Sequence, residues 1–112
     1  MTDDIRQVAH HYLLAVQRND PAALPLHPDL SATFPNATLH DAQAYRAALG
    51  PFLQSVQAIR LRQIIAEGEH AVLLLDIDTA RGTLEFAEHL HIVDGLIVHV
   101  RGYYDPRPLL SA

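Results

Sequence analysis

Glu88 is the residue whose type and position most need a chemical explanation. It stands between Phe86 and Leu90 on the apolar parity of an alternating run over residues 84–93. A carboxylate on such a face must be hydrogen-bonded, paired, protonated or wetted by a cavity, because burying a bare charge is costly. Carboxyls in that situation concentrate at functional sites, so Glu88 is a candidate catalytic acid. The plainer alternative is a strand that twists near its start, letting Glu88 reach water or pair with Arg101. Tyr12 lies on the apolar stripe of a first helix and so also faces inward. Together the two could donate hydrogen bonds to a carbonyl or enolate oxygen, where charge develops in enolisation and elimination. The structural alternative for Tyr12 is a core aromatic whose hydroxyl merely satisfies Glu88.

Eight histidines in 112 residues also invite a chemical reading. His89, His91 and His99 share one face of the last hairpin, with His89 able to sit across from His99. A usable metal site wants a third and fourth ligand in the right geometry, so no metal is expected. That face reads instead as a dimer interface or a solvated surface. His10 and His11, with His27, His40 and His70 in turns, read as surface residues. His11 neighbours Tyr12 but points about a third of a turn away from the inward stripe, which makes it a weaker candidate base. Asp105 has the outer parity of Arg101 and Tyr103, which suggests an Arg101–Asp105 or dimer contact. A bulge near Gly102 would turn it inward, so it stays among the candidate site residues.

Positioning these groups takes helices first and strands after. Ile5, Val8, Ala9, Tyr12 and Val16 recur at helical spacing, and Asn19-Asp20-Pro21 ends the helix. Asp20-Pro21 starts a second, short helical piece that Pro25 and Pro28 should stop. Leu30, Ala32 and Phe34 read as a short strand before Pro35. Asp41 can cap a third helix carrying Tyr45, Leu49, Phe52, Leu53 and Val56, with Gly50-Pro51 expected to kink or split it. Strand periodicity then takes over, with turns near residues 67–69, 80–82 and 94–95 and a last strand ending near Asp105.

The final hairpin fixes which face is inside. Phe86, Leu90 and Ile92 share one face, Val98, Val100 and Tyr104 another; Glu85, His89, His91, His99, Arg101, Tyr103 and Asp105 lie opposite. A two-residue Asp94-Gly95 loop alone would pair Leu90 with His99 and mix the faces. A three-residue loop, or a bulge with Gly95 in a left-handed conformation, pairs Leu90 with Val98 or Val100 instead, and that is the expected register.

The whole chain, residues 1–112, reads as a single α+β domain. Hydrophobic residues make up 49% and charged residues 19%, which is a folded composition. A net charge of -5 without a Lys/Arg cluster argues against nucleic acid. The absence of cysteine excludes a disulfide framework, a thiolate metal site and a cysteine nucleophile. An acidic start and apolar runs of four or five residues give no secretory signal and no membrane span, so the expectation is a cytoplasmic protein.

Two segments carry a resemblance to a known group: Tyr12-Leu13-Leu14-Ala15-Val16 with Asn19-Asp20, and the closing Asp94-Gly95-Leu96-Ile97-Val98-His99-Val100-Arg101-Gly102-Tyr103-Tyr104-Asp105-Pro106. The chain resembles the nuclear transport factor 2-like (NTF2-like, SnoaL-like) superfamily over nearly its whole length. That resemblance implies a cone-shaped roll with a curved, mainly antiparallel sheet wrapped on helices. It also implies an apolar pocket and a homodimer through the outer sheet face. It implies no cofactor and no single activity, because members include isomerases, hydrolases, cyclases and non-enzymes. Against ketosteroid isomerase, whose protonated acid and tyrosine form an oxyanion hole, Tyr12 and Glu88 look like the matching pair, while the aspartate base falls near Phe34-Pro35-Asn36. Against limonene epoxide hydrolase, Asn36 resembles a water-holding asparagine and Glu88 one of two acids. There Phe34, Phe86 and Gly102 stand where a tyrosine, an arginine and the second aspartate would be. The polyketide cyclases also use an aspartate near Gly102. The expected ligand is small, apolar and carbonyl-containing, held by Phe34, Asn36, Phe86, Leu90, Val100, Tyr104 and Asp105. The expected activity is isomerase or lyase chemistry, or else none, in a ligand-binding or dimeric assembly module with an incomplete site.

Overall fold

The computed structural model describes residues 2–110, with side chains described from Asp4 to Pro108. Helix α1 spans Thr2–Gln17 and is followed by a 3-10 turn at Pro21–Ala23. Strands β1 (Leu26–Phe34) and β2 (Ala37–Leu39) precede helix α2 (Ala42–Gln54). Strands β3 (Val56–Glu67), β4 (His70–Thr79), β5 (Gly82–Val93) and β6 (Leu96–Tyr103) follow, then a short helix α3 (Arg107–Leu110). The six strands form one curved sheet in the order β2-β1-β6-β5-β4-β3, antiparallel except where β1 runs parallel to β6. The helices cover one face, and the core lies between. No helix among the described residues is long and apolar enough to cross a membrane.

The helical stripe of α1 buries Ile5, Ala9 and Tyr12 on β3, β4 and β5. Its end is a Schellman motif: Asn19 has φ 51°, its N–H reaches Val16, and the Asp20 N–H reaches Ala15. Arg6 and Gln17 then donate to the carbonyls of Ile64 and Ile59, tying α1 to edge strand β3. The α2 helix starts where Asp41 accepts the Ala44 N–H at 2.7 Å. Asp41→Ala should therefore lower stability by about 1 kcal/mol, read as an earlier urea midpoint with unchanged slope. Arg46 holds α2 against the 3-10 turn by donating to the carbonyls of Pro21 and Leu24.

Three expectations are corrected. The short helical piece ends at Ala23, but the strand expected from Leu30 begins at Leu26 and runs through Pro28. That proline falls between the Leu26–Ile97 and Ser31–His99 pairs, where the register shifts and no ladder donor is needed. Pro51 does not split α2, since it lies in the last turn, only three residues from the end of the helix. The closing hairpin does have a two-residue loop, with Asp94 (φ 52°) and Gly95 (φ 80°) both left-handed. The bulge sits further along, at Val98, and restores Leu90 opposite Val100 and His91 opposite His99. Ile97, Val100 and Gly102 therefore point inward, Val98 is half-buried, and His89 faces Arg101 rather than His99.

Candidate active site

Three elements deliver three polar side chains to one buried point. Tyr12 comes from α1, Tyr45 from α2 and Glu88 from β5, and all three are essentially inaccessible. Tyr12 Oη donates to Glu88 Oε1 and lies 2.5 Å from Tyr45 Oη. Tyr45 Oη is also 3.5 Å from the same carboxylate oxygen. A phenol has one proton to give. With Glu88 ionised, the natural arrangement is a chain in which Tyr45 donates to Tyr12 and Tyr12 donates to Glu88. Both contacts end on Oε1, so Oε2 makes no hydrogen bond among the described residues.

Burial pushes the Glu88 carboxyl above its ordinary range, and the hydroxyls of Tyr12 and Tyr45 pull the other way without cancelling it. Burial, reinforced by the Glu88 charge, drives both tyrosines well above the usual phenol value. Tyr104 is raised for the same two reasons. Burial thus shifts all of these groups toward their neutral forms.

These groups end a partly open cavity of about 260 Å³ between α1, α2 and the sheet. Its walls are apolar and aromatic. Phe34 stacks on Tyr45 at 5.9 Å, Phe86 on Tyr104 at 4.1 Å, and Phe52 tilts against Phe86 at 6.4 Å. Asn36 and Tyr104 also line the cavity, joined by a 3.2 Å hydrogen bond from the phenol. Gly102, directly across from Glu88, has no side chain because Phe34 occupies that space. A Cβ there would meet the ring at 2.5 and 2.7 Å.

Of the sequence-derived site residues, Tyr12, Phe34, Asn36, Phe86, Glu88 and Tyr104 come together around the cavity. Leu90 and Val100 are fully buried but belong to the core and do not line it. Asp105 is exposed and pairs with Arg107 at 2.7 Å, which replaces the expected Arg101 contact and holds its carboxyl below the usual range. His11 is exposed beside Leu14 and Arg18, away from the cavity. Neither second titratable group that could have served as a base faces Glu88. Sequence reasoning missed the role of Tyr45. The available signal was a phenol on an inward helical stripe, since a buried hydroxyl needs a partner.

On the other face of the sheet, His70 is the first residue of β4 rather than a turn residue. Its ring stacks on His89 and His91, and its Nδ1 is 2.9 Å from His89 Nε2. Among the described residues, no group of three or more His, Asp or Glu side chains is arranged to hold a metal ion.

A profile of the SnoaL-like domain matches residues 8–100. The chain belongs to the SnoaL-like family. Solved structures agree on the fold. An NTF2-like protein of unknown function from Cytophaga hutchinsonii superposes with a TM-score of 0.85 at 19% identity, covering 96% of this chain and 95% of its own. A designed protein with a curved β-sheet gives 0.85 at 17%, covering 96% and 89%. A protein from Kribbella flavida, provisionally called a ketosteroid isomerase, gives 0.80 at 18%, covering 93% and 79%. No curated protein sequence matches the chain. This SnoaL-like domain thus has the expected α+β roll, a helix-covered curved sheet with mixed strand directions.

Proposed function

We propose that this SnoaL-like protein binds a small, mostly apolar ring compound through a single carbonyl-type oxygen placed against Glu88 and Tyr12. The observation that carries this reading is the contrast within one cavity: aromatic and aliphatic walls, with a carboxyl whose Oε2 has no protein partner at its polar end. A cavity of about 150 Å³ takes up benzene, so about 260 Å³ suits one or two rings. Glu88 in its acid form donates to the ligand oxygen, and Asn36 and Tyr104 supply polar contacts elsewhere along the wall. Ligand binding is favoured over general acid–base turnover because neither His11 nor Asp105, the candidate bases, lies by Glu88, and its neighbours Tyr12 and Tyr45 hold their protons.

One observation supports isomerase or lyase chemistry as a second reading: the free Oε2 and the Tyr12 hydroxyl lie on the same carboxyl. In that case Glu88, when ionised, removes a proton next to the carbonyl; as its carboxyl is neutralised the Tyr12 hydroxyl turns from Oε1 to the enolate oxygen, and Glu88 returns the proton at another carbon.

A thermal-shift series of cyclic ketones and enones against hydrocarbons of equal size tests both. Ketones at concentrations far above Kd should raise the melting temperature by several degrees more than the hydrocarbons do. Glu88→Leu should erase that difference. Equal shifts for ketone and hydrocarbon in the natural protein would remove the oxygen-recognition reading. Exchange of deuterium from solvent into the α-carbon of a bound ketone, followed by NMR, separates turnover from binding.

A further inference from the structure

We propose that Asn36 and Tyr104 form a second polar subsite at the open end of the cavity, and that the ligand is a ring compound carrying a carbonyl at one end and a neutral hydroxyl at the other. The inference rests on the reading of Glu88 and Tyr12 as the carbonyl end and names the second group that the same ligand carries. Exposure of the lining residues runs one way along the cavity. Tyr12, Tyr45 and Glu88 are inaccessible, Phe34 and Tyr104 are half-buried, and Asn36, Ala37 and Ala48 are exposed. Strand geometry gives the spacing. Glu88 lies across from Gly102, Phe86 is two residues from Glu88 on β5, and Tyr104 is two residues from Gly102, just past the end of β6. Two residues of strand span about 7 Å. The wall between the two ends is built from aromatic and aliphatic side chains.

The hydrogen-bonding capacity left at the open end selects the group. Asn36 sits in the turn between β1 and β2, and the Tyr104 ring is held by its stack on Phe86 at 4.1 Å. The phenol donates its one proton to Asn36 Oδ1 at 3.2 Å. That leaves two N–H donors on the Asn36 amide and lone pairs on the Tyr104 oxygen, and neither makes another hydrogen bond among the described residues. A donor and an acceptor side by side match a group that both accepts and donates, which is a hydroxyl. A ketone or ether oxygen could use only the amide.

Charge argues against an anionic group in the same place. No Lys or Arg is among the residues that line the cavity. Burial, and after it the charge of Glu88, raises the Tyr104 phenol, so any negative charge beside it meets the same low polarity and the same carboxylate. A ligand hydroxyl replaces the solvent on Asn36 and Tyr104 bond for bond, whereas an apolar ligand end displaces that solvent and returns nothing.

Isothermal titration calorimetry of the full chain with fused two-ring ketones tests the proposal. The set is a plain ketone, the same ketone with a hydroxyl on the ring far from the carbonyl, its isomer with the hydroxyl next to the carbonyl, and the size-matched hydrocarbon. The far hydroxyl should tighten Kd about two- to tenfold over the plain ketone, and the adjacent one should not. That ratio should fall to unity in Tyr104→Phe, which keeps the ring and loses the oxygen. It should fall likewise in Asn36→Asp, which keeps the acceptor and loses the N–H donors. Glu88→Leu should weaken both ketones together and leave the ratio in place. A plain ketone that outbinds the hydrocarbon while the far hydroxyl adds nothing would overturn the second subsite and leave the carbonyl reading standing. Equal binding of plain ketone and hydrocarbon would remove both. A far-hydroxyl preference that survives in Tyr104→Phe and in Asn36→Asp would overturn the assignment to these residues.

Discussion

Glu88→Gln is expected to be more stable than the natural protein at neutral and alkaline pH, and the advantage should vanish near pH 4. Glutamine keeps the shape, its carbonyl oxygen accepts the Tyr12 hydroxyl, and it carries no charge to bury. The sign follows from the direction of the Glu88 shift. Burial raises the folded-state pKa above the unfolded value of about 4.3, so inside that window the folded chain holds a proton that the unfolded chain has lost. Stability tied to Glu88 is fully present below the unfolded pKa and is lost as pH rises toward the folded one. The loss runs at no more than about 1.4 kcal/mol per pH unit. Urea titrations of both proteins at matched pH values isolate this group, because every other titrating residue is shared. The gap should open steadily above about pH 4.3 and then level off where the folded-state carboxyl ionises. A gap that does not change with pH would mean that Glu88 titrates alike in both states. A gap that grows in favour of the natural protein would mean that the tyrosine hydroxyls outweigh burial.

The same residue shows how far the sequence could be read. A carboxylate on the apolar parity of β5 is visible as a break in period two, and the inward stripe of α1 is visible as period 3.6. Those two periodicities turned Tyr12 and Glu88 inward. Pairing them, and placing Phe34 and Phe86 nearby, took the resemblance to ketosteroid isomerase and limonene epoxide hydrolase, and the structure brings these residues and Tyr104 around one cavity. Local signals also located the Asn19 helix stop, the Asp41 cap and the left-handed Gly95. What local patterns do not carry is register along a ladder. The bulge at Val98 has no sequence mark of its own, since valine is at home anywhere in a strand. Its position decides that Val100, not His99, stands opposite Leu90 and that His91, not His89, meets His99. Ile97, by contrast, points inward through the two-residue loop that pairs it with Ile92. Tyr45 was missed for a different reason. A stripe says which way a side chain faces and not what its polar tip reaches across the core. Asp105 fell outside the site because the last strand stops at Tyr103 and the backbone of Arg107 captures the carboxylate locally.

Gly102 carries the second large expected effect. Its cross-strand partner is Glu88, and the ring of Phe34 lies where its side chain would be. Gly102→Ala must push that ring aside, and Phe34 is itself stacked on Tyr45, so the displacement reaches the hydrogen-bond chain. Overpacking of this kind should cost about 1–3 kcal/mol. In a Phe34→Ala background the same substitution should cost far less, giving a coupling of about 0.5–3 kcal/mol in a double-mutant cycle. Independent effects of the two changes would mean that the ring moves away freely and forms no rigid wall. The pair also bears on the chemistry. The resemblance placed a second acid at Gly102, and an aspartate cannot stand there while Phe34 fills the space. Phe34→Ala with Gly102→Asp would set a second carboxyl directly opposite Glu88, and two carboxyls at that distance share a proton. Glu88 should then titrate in two steps as one of a coupled pair, measurable by NMR of its side-chain carboxyl carbon. If the double variant folds and Glu88 still titrates alone, the new carboxyl does not face it, and Phe34 is not what keeps a second acid out of this cavity.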